Sequence, residues 1–225
     1  MDNMRGISLL PIFRQWYARL LIPRLEAVAR RILPDEQQGF RLDGRIYASF
    51  LSLHSLFEAA RLRKERLYVA FIDTQKAFPS VRRDLLFQQL AAAGAEDELI
   101  RALHVLYANS KSCVRTAGGY GEIFDIILGT REGGVESPIL YALFVYDLVQ
   151  QMSLVKLDAD PLLLAGTEVR LLQFADDVAI IARTEEDLDR LLLKFEQYSD
   201  HSHQRTSIPK TKAMAVFEQQ FFRNS

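Results

Sequence analysis

The chain has 225 residues, with 28 lysines and arginines against 29 aspartates and glutamates, and 49% of its residues are hydrophobic. That supply of apolar side chains suffices for one large domain or two subdomains and excludes a disordered chain. A single cysteine, Cys113, excludes an internal disulfide and a cysteine-cluster metal site. There is no secretory segment and no apolar run of about 18 residues, so a soluble, intracellular protein without a membrane partner is expected.

In chain order, apolar spacing predicts a helix over residues 13–32, interrupted near Pro23, and a second from about 44 to 64. Trp16 in the first helix is read as a core side chain rather than a base-stacking platform. A strand over 67–72 delivers Asp73 at its C-terminal end. Helices over 84–93 and 96–109 are separated by Gly94, and a hairpin over 112–117 and 123–128 turns around the glycines at 118, 119 and 121. Ser137 reads as an N-cap before Pro138, opening one helix that runs to 152. Strands follow over 162–164, 169–173 and 178–182, the last two meeting at the corner Phe174-Ala175-Asp176-Asp177. Thr184 then caps a helix with Leu188, Leu191, Leu192, Phe195 and Tyr198 on one face and Glu185, Glu186 and Asp187 in its first turn. The layout is α+β, with helices packed on an antiparallel sheet.

Asp176 and Asp177 are adjacent carboxylates between apolar strands, which repel unless a cation lies between them. A solvated Asp-Asp turn is the plain alternative. Asp73, whose plain alternative is an N-cap or turn residue, joins them only through tertiary folding. Together the three acids form an oxygen-rich set suited to magnesium or manganese. Two such ions about 3.5–4 Å apart activate an attacking oxygen and stabilise a leaving one, the chemistry of nucleotidyl transfer. Between the acids lies the block Gly129-Thr130-Arg131-Glu132-Gly133-Gly134-Val135-Glu136-Ser137-Pro138, either a loop that lets backbone approach a ligand or an ordinary helix entry. Arg61, Arg63, Lys64 and Arg66 precede the first acidic strand, and Arg82 and Arg83 follow it. Singly these are solvated charges, and as a group they are template-contact candidates. His201 and His203 lie in a polar segment after a helix with no other ligand suggested nearby, and are not read as metal ligands.

Taken in order, three segments resemble a reverse transcriptase of the non-LTR (LINE-like) retrotransposon type. AFIDTQKAFPSV resembles the first catalytic motif, REGGVESPILYALF the glycine–serine–proline motif, and QFADDVAII the second catalytic motif. Arg5-Gly6-Ile7-Ser8-Leu9-Leu10 and Gln38-Gly39-Phe40-Arg41 resemble fingers motifs, and Lys210-Thr211-Lys212 resembles the motif after the catalytic acids. The resemblance implies a right-hand polymerase with fingers and palm and no thumb: a fingers-like helical region over 1–66, and a palm over 67–225 with a fingers-like hairpin around 111–130. It implies that Asp73 and Asp176 hold two magnesium ions, or manganese, with Asp177 beside them. Thr74 would lend a backbone carbonyl, and Phe78 would lie under the incoming sugar and exclude a ribose 2′-hydroxyl. Gln75, Lys76, Glu132, Gly133, Ser137 and Pro138 complete the substrate set. Lys210 would assist pyrophosphate departure, with Lys212 as the competing assignment, and Arg41, Arg63, Lys64 and Arg66 would meet nucleic acid.

The implied partners are an RNA template with a DNA primer, deoxynucleoside triphosphates, and the remaining segments of a larger retroelement protein. The chain departs from the family at Glu132, where glutamine is usual, at Pro79, where an acid is usual, and at Gly134, Val135 and Glu136. It ends where the family continues into a thumb and has no room for an endonuclease. The rival expectation is therefore a truncated, inactive remnant acting at most as a nucleic-acid-binding or structural domain. A nucleotide cyclase is a more distant alternative, lacking its glycine-rich signals.

Overall fold

Apolar side chains alternate along three segments that become the centre of one sheet, and this alternation decides which helix covers which face. A computed structural model of the chain describes residues 8–40 and 46–216. It runs α1 (Ile12–Ile32), α2 (Ile46–Arg63), β1 (Leu67–Gln75), α3 (Ala77–Ser80), α4 (Arg83–Ala92) and α5 (Asp97–Tyr107). Four two-residue strands follow, β2 (Lys111–Ser112), β3 (Arg115–Thr116), β4 (Gly119–Tyr120) and β5 (Phe124–Asp125), then α6 (Ser137–Phe144) and α7 (Leu148–Ser153). The remainder is β6 (Leu163–Leu164), β7 (Thr167–Glu168), β8 (Leu171–Phe174), β9 (Asp177–Ala182), α8 (Glu185–Ser202), β10 (Arg205–Thr206) and β11 (Lys212–Val216). Arg41, the expected helix start at Gly44, the first three residues of the Arg5–Leu10 segment and the chain beyond Val216 lie outside the described residues.

The chain divides into two units, Met1–Ile32 with Phe78–Phe144, and Leu33–Ala77 with Val145–Ser225. In the second, the sheet unit, β1 pairs antiparallel with β9 on one edge and with β11 and then β10 on the other, and β8 pairs with β9. Side chains of a strand alternate between faces. Ala70, Ile72, Val178, Ile180 and Ala182 therefore share one face, where they cluster with Leu148 and Met152 of α7 and Leu188, Leu191, Phe195 and Tyr198 of α8. Leu67, Val69, Ala179 and Ile181 share the other, with Leu56 and Ala60 of α2. Fully burying one such aliphatic side chain stabilises by about 1.5–3 kcal/mol, so both faces of β9 are committed to the core. Thr184 caps α8 as its sequence predicts, its hydroxyl accepting from the Asp187 N–H at 3.1 Å.

In the other, helical unit, α1 packs on α5 and α6 and α4 on α5 and α6, and Leu21, Leu25, Leu86, Leu90, Leu99, Leu103 and Leu140 of these helices are buried. The mixed α+β class with an antiparallel sheet is as expected. Several local expectations are corrected. α1 continues through Pro23, because burial of Leu21, Leu25 and Val28 outweighs the single backbone hydrogen bond that proline cannot donate. Trp16 is not core: it is 55% exposed and meets Phe13 edge-on, with ring centroids 5.8 Å apart. The helix expected over 137–152 is two helices, broken at 145–147, where Asp147 accepts a hydrogen bond from the Tyr198 hydroxyl at 2.8 Å. β1 extends past residue 72 to Gln75, since Thr74 and Gln75 find partners in Thr206 and Arg205. No helix among the described residues is long and apolar enough to cross a membrane.

Candidate active site

The register of the sheet brings two of the candidate acids together. Asp73 of β1 lies directly opposite Asp177 of β9. Directly opposed residues of an antiparallel pair project to the same face, so these carboxylates are neighbours on the face that carries Val69 and Ile181. Asp73 is half-buried and Asp177 exposed. Asp176 occupies the two-residue connection between β8 and β9, after Phe174 pairs with Asp177. The connection has a positive φ at Ala175, +60°, and not at Asp176, as in the tight hairpins whose first loop residue is usually glycine.

A second element approaches Asp73 from the opposite edge. The Asp73 carbonyl accepts from the Ser207 N–H at 2.8 Å, and the Ser207 carbonyl accepts from the N–H groups of Lys210 and Thr211. This turn sets Lys210 Nζ 3.5 Å from Asp73 Oδ2. Lys210 thus neutralises part of the acidic charge, while Lys212 is an exposed residue of β11 paired opposite Phe71. Thr74 is buried, whereas Gln75 and Lys76 are exposed where the strand ends, Lys76 with a φ of +48°. Among the described residues, no three or more histidines, cysteines, aspartates or glutamates converge as a cage that could hold a metal by itself.

The other candidates, Phe78, Glu132, Gly133, Ser137 and Pro138, belong to the helical unit. There the chain after the first acidic strand meets the start of the glycine block: Thr130 N–H donates to the Phe78 carbonyl and Gly129 N–H to the Val81 carbonyl, both at 2.8 Å. A Cβ at Gly129 would lie 2.6 Å from the Pro79 carbonyl oxygen, and its φ of +82° also favours glycine. Phe78 is half-buried, its ring centroid 5.3 Å from that of Tyr141. The Glu132 carbonyl accepts from the Ser8 N–H at 3.2 Å and the Gly133 carbonyl from Gln15 Nε2 at 3.0 Å. Ser137 is not a side-chain cap: its hydroxyl donates to the Arg131 carbonyl at 2.7 Å and ties the block closed. Pro138 follows it within α6.

Beneath this block lies a buried charge cluster that sequence reasoning did not foresee. The Glu136 carboxylate is 0% exposed. Its Oε1 accepts from Arg14 Nη2 at 2.7 Å and from the Tyr107 hydroxyl at 2.8 Å. Burial, and then the charge of Glu136, push the Tyr107 hydroxyl pKa well above its ordinary value. The available signal was an acid where the apolar pattern of a helix entry calls for a hydrophobe.

The basic residues divide by what they touch. Arg83, grouped above with template contacts, instead donates to the carbonyls of Gly129, Ile126 and Leu128 at 2.8, 3.0 and 3.1 Å, a structural clasp for the segment that leads from β5 into the block. Arg82 pairs with Asp84, and Arg61 with Glu58 at 2.9 Å. Arg63, Lys64 and Arg66 are exposed at and just after the end of α2.

The reverse transcriptase (RNA-dependent DNA polymerase) family model matches residues 1–222. The chain is 26% identical over 193 residues to the Retrovirus-related Pol polyprotein from type-1 retrotransposable element R2 of Nasonia vitripennis, covering 85% of this chain and 18% of that protein. It is 28% identical over 186 residues to the RNA-directed DNA polymerase from mobile element jockey of Drosophila funebris, covering 81% and 19%. With the probable RNA-directed DNA polymerase from transposon BS of Drosophila melanogaster it shares 29% identity over 182 residues, covering 80% and 19%. The chain therefore spans under a fifth of the length of these relatives. Among solved structures, the apo telomerase of Candida tropicalis superposes with a TM-score of 0.63 at 15% identity, over 89% of this chain and 36% of that one. The Candida albicans telomerase, solved in complex with a fragment of telomeric RNA, gives 0.61 at 12% identity, over 89% and 34%. At those identities the likeness is one of fold. With a family match along nearly the whole chain and relatives among the non-LTR retrotransposons, the chain belongs to the reverse transcriptase family.

Proposed function

We propose that the chain is the fingers-and-palm core of an RNA-directed DNA polymerase, adding deoxynucleotides to a primer 3′-hydroxyl on an RNA template. The observation that carries this reading is the pairing of Asp73 with Asp177 beside the Asp176 corner. Carboxylates on adjoining strands, with the Thr74 carbonyl next in β1, make an all-oxygen donor set that fits magnesium or manganese. Magnesium is commonly held by one or two carboxylates plus substrate phosphates, which agrees with a site that is not a closed protein cage. When bound, two such ions supply Lewis-acid activation of the primer hydroxyl and charge stabilisation at the leaving pyrophosphate. Asp73 and Asp176 are assigned as the metal holders, with Asp177 beside them.

The protein's own groups do the rest. Lys210 is assigned to assist departure of the pyrophosphate, a role supported by its Nζ lying 3.5 Å from Asp73 Oδ2. Phe78 is assigned to the selection of deoxynucleotides by its bulk, and Gln75, Lys76, Glu132, Gly133, Ser137 and Pro138 are assigned to substrate binding. Arg41, Arg63, Lys64 and Arg66 contact the nucleic acid. Residues 1–66 act as fingers and 67–225 as palm, with a fingers-like hairpin around 111–130, inside a larger retroelement protein.

The test is deoxynucleotide incorporation on a primed RNA template with magnesium and again with manganese. The natural chain is expected to extend the primer, while Asp73→Asn and Asp176→Asn keep the circular dichroism of the fold and lose extension. Natural-level extension from both variants would sink the assignment. A second reading, an inactive remnant, is favoured by Glu132, an acid where the family usually has glutamine, and by Pro79. Template–primer binding without incorporation, persisting in Glu132→Gln, is the outcome that reading requires.

A further inference from the structure

The segment just before α2 reaches back to the corner that carries Asp176. Gln38 N–H donates to the Gln173 carbonyl and Gln173 N–H donates to the Glu36 carbonyl, both at 2.9 Å, and Gln37 bridges Gln173 in parallel. Gln173 is 1% exposed, and its Nε2 donates to the Ala175 carbonyl at 3.2 Å. At the end of this strap, Gly39 lies on the backbone of the corner itself. A Cβ at Gly39 would lie 2.7 Å from Ala175 Cα, 2.8 Å from the Phe174 carbonyl carbon, and closer still to the Ala175 nitrogen.

Real Cβ atoms do not approach backbone that closely, and backbone cannot swing aside as the end of a long side chain can. Gly39 does not have the positive φ that would demand glycine for conformational reasons. What demands it is contact. We propose that Gly39 is a positioning residue for the candidate catalytic acids, its bare backbone setting where Ala175, and through it Asp176 and Asp177, lies. The contact stands by itself, while its consequence for catalysis rests on the polymerase reading above.

The test compares the natural chain, Gly39→Ala and the double variant Gly39→Ala/Ala175→Gly. Steady-state incorporation is measured on a primed RNA template, and hydrogen exchange is followed at the amides of residues 174–177. In Gly39→Ala, kcat is expected to fall about 100-fold, as displacements near 1 Å at a reacting centre do, with KM for template–primer within about twofold. Melting temperature should be near natural and exchange should quicken at 174–177 alone. Ala175 holds a φ of +60°, so glycine there lets the displacement be absorbed at residue 175, and the double variant should regain about tenfold in kcat.

Natural kcat and natural exchange in Gly39→Ala would overturn the proposal. So would a loss accompanied by global destabilisation that Ala175→Gly does not relieve. If the natural chain incorporates nothing, the polymerase reading fails and the exchange measurement alone decides: quickening confined to 174–177 supports the contact, and unchanged exchange overturns it. Should Gly39→Ala fail to fold, Gln173→Met probes the same support, with local quickening expected and unchanged exchange counting against the strap.

Discussion

The glycine block of the helical unit and the acidic corner of the sheet unit are both held from beneath, by opposite means. Under the block, Glu136 is buried against Arg14 and Tyr107, and among the described residues its Oε2, with Arg14 Nε and Nη1, finds no hydrogen-bond partner. Under the corner the supports are backbone hydrogen bonds, a side-chain amide and the aliphatic faces of β8 and β9. A buried ion pair fails as a whole when one partner goes, because the survivor is an uncompensated charge in a low dielectric. Packed methyl groups and backbone ladders fail by degrees.

That difference is sharpest in Glu136→Leu. Removing the carboxylate strands the Arg14 guanidinium, and urea melts should show a loss of about 3–5 kcal/mol. Arg14→Met/Glu136→Leu, which removes both charges, should recover most of it. A single variant as stable as the natural chain would mean that the pair carries nothing, and the contrast between the two supports would collapse.

A smaller effect separates the hydroxyl from the ion pair. Tyr107→Phe leaves Glu136 with Arg14 alone, and should lose about 1–3 kcal/mol at neutral pH. It also predicts a change in pH dependence. The folded pKa of Tyr107 lies above its ordinary value of about 10, so the unfolded chain releases that proton first. The stabilisation is complete below that ordinary value and is lost as pH rises through the folded one. Urea melts from about pH 8 to 11 should show this alkaline decline in the natural chain and a flatter one in Tyr107→Phe. Equal slopes would place the alkaline sensitivity elsewhere.

The two supports also differ in how far local sequence discloses them. The alternation of Val178, Ile180 and Ala182 against Ala179 and Ile181 reads directly as a two-faced strand, and Thr184 reads as a cap, because both signals lie within a few residues. Asp187 reads as an acid suited to the first turn of the helix, and nothing in the sequence nearby discloses that it is buried. Its carboxylate accepts from the N–H groups of Asp158 and Ala159 at 3.0 Å, partners supplied by a distant loop. The pairing of Asp73 with Asp177 and that of Glu136 with Arg14 are likewise invisible locally, since strand register and helix packing choose partners far away in the chain. The break at 145–147 is hidden for another reason. An apolar run over 139–145 has no polar punctuation, and the Tyr198 contact with Asp147 comes from α8.

The mildest substitution tests whether the sheet support is graded. Ile180 is fully buried at the centre of β9, three residues from Asp177. Ile180→Val removes one methylene and keeps the β-branch that suits the strand, so it should lose about 0.5–1.5 kcal/mol with the register of Asp177 against Asp73 intact. No titrating group changes its partner, so the loss should be the same from about pH 6 to 10, in contrast to Tyr107→Phe. A loss as large as that of Glu136→Leu, or one that varies with pH, would show that the corner depends on an all-or-none contact after all. The two units would then be supported by the same kind of force.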